Sequence, residues 1–271
     1  MIIDIYVNKA KDPDKSWLNK FMLVAETHGI EYRIIDDDDL KSESQSDALF
    51  VIGGDGTILN LTEYASKNNL PIVGFNAGKL GFLTEFELSD IEQAFLLFKN
   101  GQLKPDCRAT ILMYVNKTKF YALNDAVIQR IRIEERGNNV TNLDVYIDDI
   151  LVDKIIGDGV CISTPTGSTA YSFSAGGAIL APGISAFSIT DIAGHSFNQR
   201  PIVYSADSIC TVKVNGNCKT GLFIDGIFAC EVFPEDELTI STSSSPVMFL
   251  RKEGFNFYKR LYDKLKNRSG I

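Results

Sequence analysis

Gly53-Gly54-Asp55-Gly56-Thr57 sets one carboxylate inside a glycine loop. Glycines let backbone approach a bulky anion and leave N–H groups free for phosphate oxygens. The helix expected after Thr57 would add its positive end. A carboxylate repels phosphate, so Asp55 makes chemical sense in such a loop as a base toward an acceptor hydroxyl or as an aid in placing Mg²⁺. The other reading of Asp55 is a cap on the following helix. The spacing matches neither Gly-x-x-x-x-Gly-Lys-Ser/Thr nor Gly-x-Gly-x-x-Gly.

Three further stretches carry groups suited to a nucleotide. Gly74-Phe75-Asn76-Ala77-Gly78-Lys79-Leu80-Gly81 is a second glycine-rich strand exit, where Asn76 would donate hydrogen bonds and Phe75 would either stack on a base or fill the core. Asn124-Asp125 pairs an amide with a carboxylate, a combination that engages ribose hydroxyls or a base edge and that also occurs in polar hairpin turns. Gly157-Asp158-Gly159 precedes a long run of small and hydroxyl-bearing residues from Thr164 to Gly177, within which Tyr171 could stack on a base.

The elements that must hold these residues change character along the chain. Apolar strands at Ile2 to Val7, Ile30 to Ile35, Ala48 to Ile52 and Pro71 to Phe75 alternate with helical spacings at Trp17, Phe21, Val24 and His28, at Ile58, Leu61, Tyr64 and Ala65, and at Ile91, Ala94, Phe95 and Phe98. Ser89 and Glu92 have capping-box spacing. This order predicts an α/β N-terminal domain with a parallel sheet. From about residue 108 short strands dominate: Arg108 to Val115, Lys119 to Leu123, Ala126 to Ile133, Thr141 to Ile147, Gly159 to Ser163, Ile209 to Val214, Gly221 to Ile224, Ala229 to Phe233 and Pro246 to Leu250. They predict a β-rich second domain. Phe257, Tyr258, Leu261, Tyr262 and Leu265 then mark a C-terminal helix whose apolar face should pack on the first domain, with its basic residues on a solvent face. The expected boundaries are 1–104, 105–250 and 251–271.

The composition, 45% hydrophobic and 23% charged, is that of a globular protein. A net charge of -8 argues against an extended nucleic-acid surface. The chain opens without the basic and apolar regions of a signal peptide and has no membrane-length apolar run, so a cytoplasmic protein without a membrane partner is expected. The five cysteines lack zinc-site spacing and read mostly as small core residues, so no protein metal site is expected.

Taken in order, Gly53 to Thr57, Asn76 to Thr84, Leu123-Asn124-Asp125 and Thr164 to Gly177 resemble the NAD kinase family. The Thr-Pro-Thr-Gly-Ser-Thr-Ala-Tyr run is the discriminating part, since diacylglycerol kinases and sugar kinases of the phosphofructokinase type carry related glycine-aspartate loops. The resemblance implies ATP-dependent phosphorylation of the 2'-hydroxyl of the adenosine ribose of NAD, yielding NADP, with Mg²⁺ or another divalent cation accompanying ATP. It implies that Asp55 accepts the hydroxyl proton, that Gly56 lies beside the dinucleotide, and that Asn124 and Asp125 contact its adenosine portion. Asp158, Thr166, Thr169, Ala170, Tyr171 and Ser174 form further parts of the implied site. Asp125 stands where the family often has Glu, Ile156 where many relatives carry a polar or basic contact, and Asp225-Gly226-Ile227 lacks a Gln often found after that pair. The segment Gly194 to Val203 resembles one that often begins Pro-His. Family members usually form homodimers or homotetramers. The competing readings are a lipid kinase of the diacylglycerol kinase type and a non-catalytic dinucleotide sensor.

Overall fold

The computed structural model describes residues 1–78, 81–131, 140–195 and 200–269. Lys79 and Leu80 of the second glycine run, and residues 196–199 of the segment after Gly194, lie outside them. The chain divides into two compact units, Met1–Cys107 with Val247–Ile271, and Arg108–Pro246.

The first unit runs β1 (Ile2–Val7), α1 (Ser16–Thr27), β2 (Glu31–Ile35), β3 (Ala48–Gly53), α2 (Asp55–Leu59), α3 (Thr62–Lys67), β4 (Ile72–Asn76), β5 (Phe86–Glu87), α4 (Ile91–Lys99) and β6 (Lys104–Arg108). The order in its sheet begins β2-β1-β3-β4, with these four strands parallel and β5 also paired to β4. β3 and β4 are buried at every residue, as strands covered on both faces must be. On one face Ala48, Phe50 and Ile52 join Phe21, Val24, Phe75, Phe95 and Phe98 in a single core. Its rings meet at short range: Phe21 and Phe75 edge to face at 4.6 Å, Phe50 and Phe95 at 4.8 Å.

Within the sheet, β1 is flanked by β2 on one side and β3 on the other, so the chain reverses its direction of progress there. In open α/β sheets the crevice outside the strand carboxyl ends at such a reversal is where ligands bind. The Gly53 to Thr57 loop leaves β3 at that position, and Asn8, just past β1, donates from Nδ2 to Thr57 Oγ1 at 2.9 Å.

The second unit contains β7 (Ile111–Val115), β8 (Thr118–Ala122), β9 (Asp125–Arg130), β10 (Thr141–Ile147), β11 (Ile150–Gly157), β12 (Gly159–Ser163), α5 (Tyr171–Ser174), β13 (Ala186–Ile192), β14 (Ile202–Ser205), β15 (Cys210–Asn215), β16 (Thr220–Ile224), β17 (Ile227–Val232) and β18 (Leu238–Thr242). Two six-stranded sheets, β11-β10-β15-β18-β7-β8 and β14-β13-β12-β9-β16-β17, enclose one core. Its members alternate along the strands: Leu143 and Val145 on β10, Ala126 and Ile128 on β9, Val160 and Ile162 on β12. The architecture is therefore the expected α/β unit with a parallel sheet followed by a β-rich unit.

The chain then re-enters the first unit through β19 (Val247–Arg251), parallel to β4, and α6 (Phe257–Ser269). Because β19 joins that sheet, the units part at 107/108 and 246/247 rather than at 104/105 and 250/251.

Three local expectations are corrected. Ser89 does not cap α4: the chain already turns as a 3₁₀ segment over Leu88–Asp90, and Asp90 takes the cap position without a side-chain bond. The apolar stripe of α6 is only partly covered. Its docked face is Phe257, Arg260, Leu261 and Lys264, at steps of three and four, while Tyr258 and Tyr262 stay 67% and 65% exposed. Nor do all the basic residues of the tail face solvent, since Arg251 is 2% exposed.

Candidate functional site

Asp55 opens α2, yet Gly54 holds the cap position and no side chain caps that helix. The carboxylate turns instead to the loop after β4. Phe82 N–H donates to Asp55 Oδ2 at 2.8 Å and Leu83 N–H to Oδ1 at 3.0 Å. Two successive backbone donors fix both oxygens, which a carboxylate tolerates well because it only accepts. Gly56 beside it is exposed.

The other residues proposed from the second glycine run turn inward. Phe75 is fully buried among Phe21, Phe50 and Phe86, so its ring belongs to the core and is unavailable for stacking on a base. Asn76 closes its own loop: Nδ2 donates to Gly78 O at 2.8 Å and Oδ1 accepts from Gly78 N at 3.2 Å. Both ends of its amide are thereby engaged within the loop.

In the second unit a cavity of about 410 Å³ is lined by Asn124, Asp125, Val127, Gln129, Ala170, Tyr171, Phe223, Asp225 and Gly226. Period-two alternation explains its floor. Ala126 and Ile128 of β9 point into the core, so Asp125, Val127 and Gln129 point the other way, and β16 supplies Phe223 opposite Val127. Its wall is the β16–β17 hairpin, whose two-residue turn Asp225-Gly226 has both residues at positive φ, 48° and 83°. That is the Asp-Gly turn that suits the strand twist.

Asp225 folds back from this turn and accepts N–H bonds from Leu123, Asn124 and Asp125 at 2.9, 2.7 and 3.1 Å. It thereby fixes the backbone that presents the Asn124 amide and Asp125 carboxylate. Burial, then the neighbouring Asp225 charge, push the Asp125 carboxyl up to about 7, against a backbone N–H of Tyr171 that lowers it. Burial also raises Asp225, partly offset by its three N–H donors.

The small-residue run forms a tight shelf beside this cavity. Thr164 Oγ1 donates to Leu123 O at 2.6 Å, and Thr164 N to Asn124 O at 2.9 Å. Thr166 and Thr169 are buried: Thr166 Oγ1 accepts from Arg108 and Thr169 Oγ1 donates to Thr166 O, and neither residue lines the cavity. Ala170 and half-exposed Tyr171 face the cavity. Ser174 is exposed at the end of α5. Asp158 is partly exposed and pairs with Arg130 at 2.8 Å. Ile156 stands exposed on edge strand β11 of the opposite sheet, so it is not brought to this cavity.

Val127, Gln129 and Phe223 were not singled out from the sequence. The signal that would find the first two is the two-residue step from Asp125. Among the described residues no group of three or more His, Cys, Asp or Glu could hold a metal ion, and no helix is long and apolar enough to cross a membrane.

Models of the ATP-NAD kinase N-terminal and C-terminal domains match residues 5–102 and 123–252. An NAD kinase of Caldicellulosiruptor bescii is 32% identical over 266 residues, 98% of this chain and 100% of the relative. One of Fusobacterium nucleatum is 35% identical over 237 residues, 87% of this chain and 86% of the relative. Among solved structures, yeast NADH kinase complexed with NADH superposes with a TM-score of 0.84 at 24% identity, covering 98% of this chain and 88% of that one. An NAD kinase from Archaeoglobus fulgidus in complex with ATP gives 0.77 at 23% identity, covering 98% and 99%. With both domains matched in order and relatives matched along nearly their whole length, the chain belongs to the ATP-NAD kinase family and is a phosphotransferase acting on NAD.

Proposed function

We propose that the chain transfers the terminal phosphoryl group of ATP directly to the 2'-hydroxyl of the adenosine ribose of NAD, with Asp55 as proton acceptor. The 2'-oxygen forms a bond to the terminal phosphorus as the bond to the ADP oxygen breaks, and the hydroxyl proton passes to Asp55, giving ADP and NADP. The observation that carries this reading is the carboxylate fixed by two backbone N–H groups at the carboxyl end of β3, in a loop of glycines. Gly56 leaves backbone beside it open to the dinucleotide.

The second unit's cavity takes the adenosine portion. Asn124 and Asp125 offer an amide and a carboxylate to ribose hydroxyls or a base edge, Tyr171 offers a ring face, and Val127 and Phe223 an apolar floor. Asp158 and Ser174 extend this surface. A divalent cation, Mg²⁺ or a substitute, arrives with the triphosphate and screens its charge; Asp55 is the one residue proposed near it.

Exposed apolar side chains on the edge strands, Ile150 on β11 and Ile227 on β17, favour a homodimer or homotetramer. The five free thiols suit the reducing cytoplasm.

A donor-by-acceptor activity matrix with product identification, run on the wild type and Asp55→Asn, tests the reaction. ATP, Mg²⁺ and NAD should give NADP and ADP in the wild type. Asp55→Asn should stay folded and bind NAD while turnover falls by roughly 10²- to 10⁴-fold. Near-normal NADP formation by the folded variant would rule out Asp55 as the essential base, and a lipid product would overturn the acceptor.

A further inference from the structure

Four consecutive carbonyls, those of Gly81, Phe82, Leu83 and Thr84, accept hydrogen bonds from two guanidinium groups of the C-terminal segment. Arg260 Nη1 donates to Gly81 O at 3.0 Å and to Thr84 O at 3.2 Å. Arg251 donates to Leu83 O at 2.9 Å and to Phe82 O at 3.4 Å. The N–H groups of Phe82 and Leu83, in the same short loop, are the two that hold the Asp55 carboxylate. The loop is therefore gripped by cations on its carbonyl side and presents its donors to Asp55 on its N–H side.

The grip is built at some expense. Arg251 is among the largest fully buried side chains, and its charge is met by Asp106 at 3.0 Å and Glu85 at 3.5 Å, with Arg260 also 3.5 Å from Glu85. Buried ion pairs contribute little net stability compared with apolar packing, and their best-attested use is to select one conformation. Here the conformation selected is that of the segment touching Asp55. A cation at the carbonyl end also polarises each peptide so that its N–H becomes a stronger donor.

We infer that Arg251 and Arg260 are positioning residues for the transfer step, acting through the 81–84 backbone to fix the Asp55 carboxylate. This rests on the reading of Asp55 as proton acceptor. Arg260 is the better probe, because part of its surroundings is solvent and its loss should leave the sheet intact.

The test measures kcat, KM for NAD, the unfolding midpoint and amide hydrogen exchange in Arg260→Gln and Arg260→Lys, with Asp55→Asn alongside. Arg260→Gln should lose roughly 10- to 100-fold in kcat, the scale of a small misplacement of a reacting group. KM for NAD should change little, exchange should speed up at Phe82 and Leu83, and Arg260→Lys should lie between Gln and wild type. An unchanged kcat in Arg260→Gln, or a kcat that falls only in proportion to the folded fraction, would overturn the inference. Should the Gln variant not fold, Arg260→Lys decides, and wild-type kcat in it would overturn the inference. An active Asp55→Asn sinks the underlying reading instead, whereas an inactive Asp55→Asn beside a fully active Arg260→Gln sinks the clamp alone.

Discussion

Gly81 and Asp55 meet so closely that a Cβ added to Gly81 would stand 1.8 Å from Asp55 Oδ1. The glycine is required by close approach of a side chain to backbone. Since Phe82 and Leu83 hold both Asp55 oxygens, the carboxylate cannot yield without losing those bonds. Gly81→Ala should therefore displace Asp55, with kcat down roughly 100-fold and NAD binding by calorimetry close to wild type. An alanine variant with wild-type kcat would show that the carboxylate position is not critical.

Phe75 provides the contrasting case. Its ring packs on three other phenylalanines in the first unit, so Phe75→Ala should cost about 3–5 kcal/mol in denaturant unfolding. KM for NAD, measured where the variant remains folded, should be unchanged. A specific rise in KM without loss of stability would return the ring to the binding surface.

How far the sequence discloses this depends on whether the signal is local. The β3–loop–α2 unit is legible because a wholly apolar strand abuts glycines. Asn124, Asp125, Ala170 and Tyr171 are legible because they lie within compact motifs. Val127 and Phe223 are ordinary strand residues that line the cavity only through the β9–β16 register. Strand β11 escapes notice because its turn is Asp148-Asp149, both at positive φ, where glycine or asparagine is the usual marker. Strand β18 buries only Leu238 and Ile240 among threonines and serine, too short an alternation to stand out. The carbonyl and carboxylate groups that Arg251 and Arg260 grip lie more than 140 residues away along the chain, so the local sequence does not reveal that grip.

Gly167 gives a second backbone test, this time beside the cavity. A Cβ there would lie 2.0 Å from Asn124 O, a backbone atom already engaged by Thr164 N–H. Gly167→Ala must push the Asn124-Asp125 segment away from its Asp225 cradle. KM for NAD should rise roughly tenfold or more, equivalent to about 1.4 kcal/mol, with a smaller change in kcat. Loss of kcat alone would place the adenosine site elsewhere.

Asp125 makes the site sensitive to pH. Its carboxyl is raised to about 7 by burial and the nearby Asp225, whereas in the unfolded chain it ionises near the ordinary value of 3.8. Between those values the folded state holds a proton that the unfolded state has released. This contribution to stability is present at low pH, falls as pH rises through the window, and levels off above about 7. Asp125→Asn cannot titrate, so the difference in unfolding free energy between wild type and variant should shift in the variant's favour from pH 5 to 8. The same titration bears on binding. The ionised carboxylate is the stronger acceptor toward a ribose hydroxyl or a base N–H, so wild-type KM for NAD should improve as pH rises from 6 to 8, while the Asn variant should show a weaker dependence. Parallel pH profiles in the two proteins would remove Asp125 from recognition of the dinucleotide.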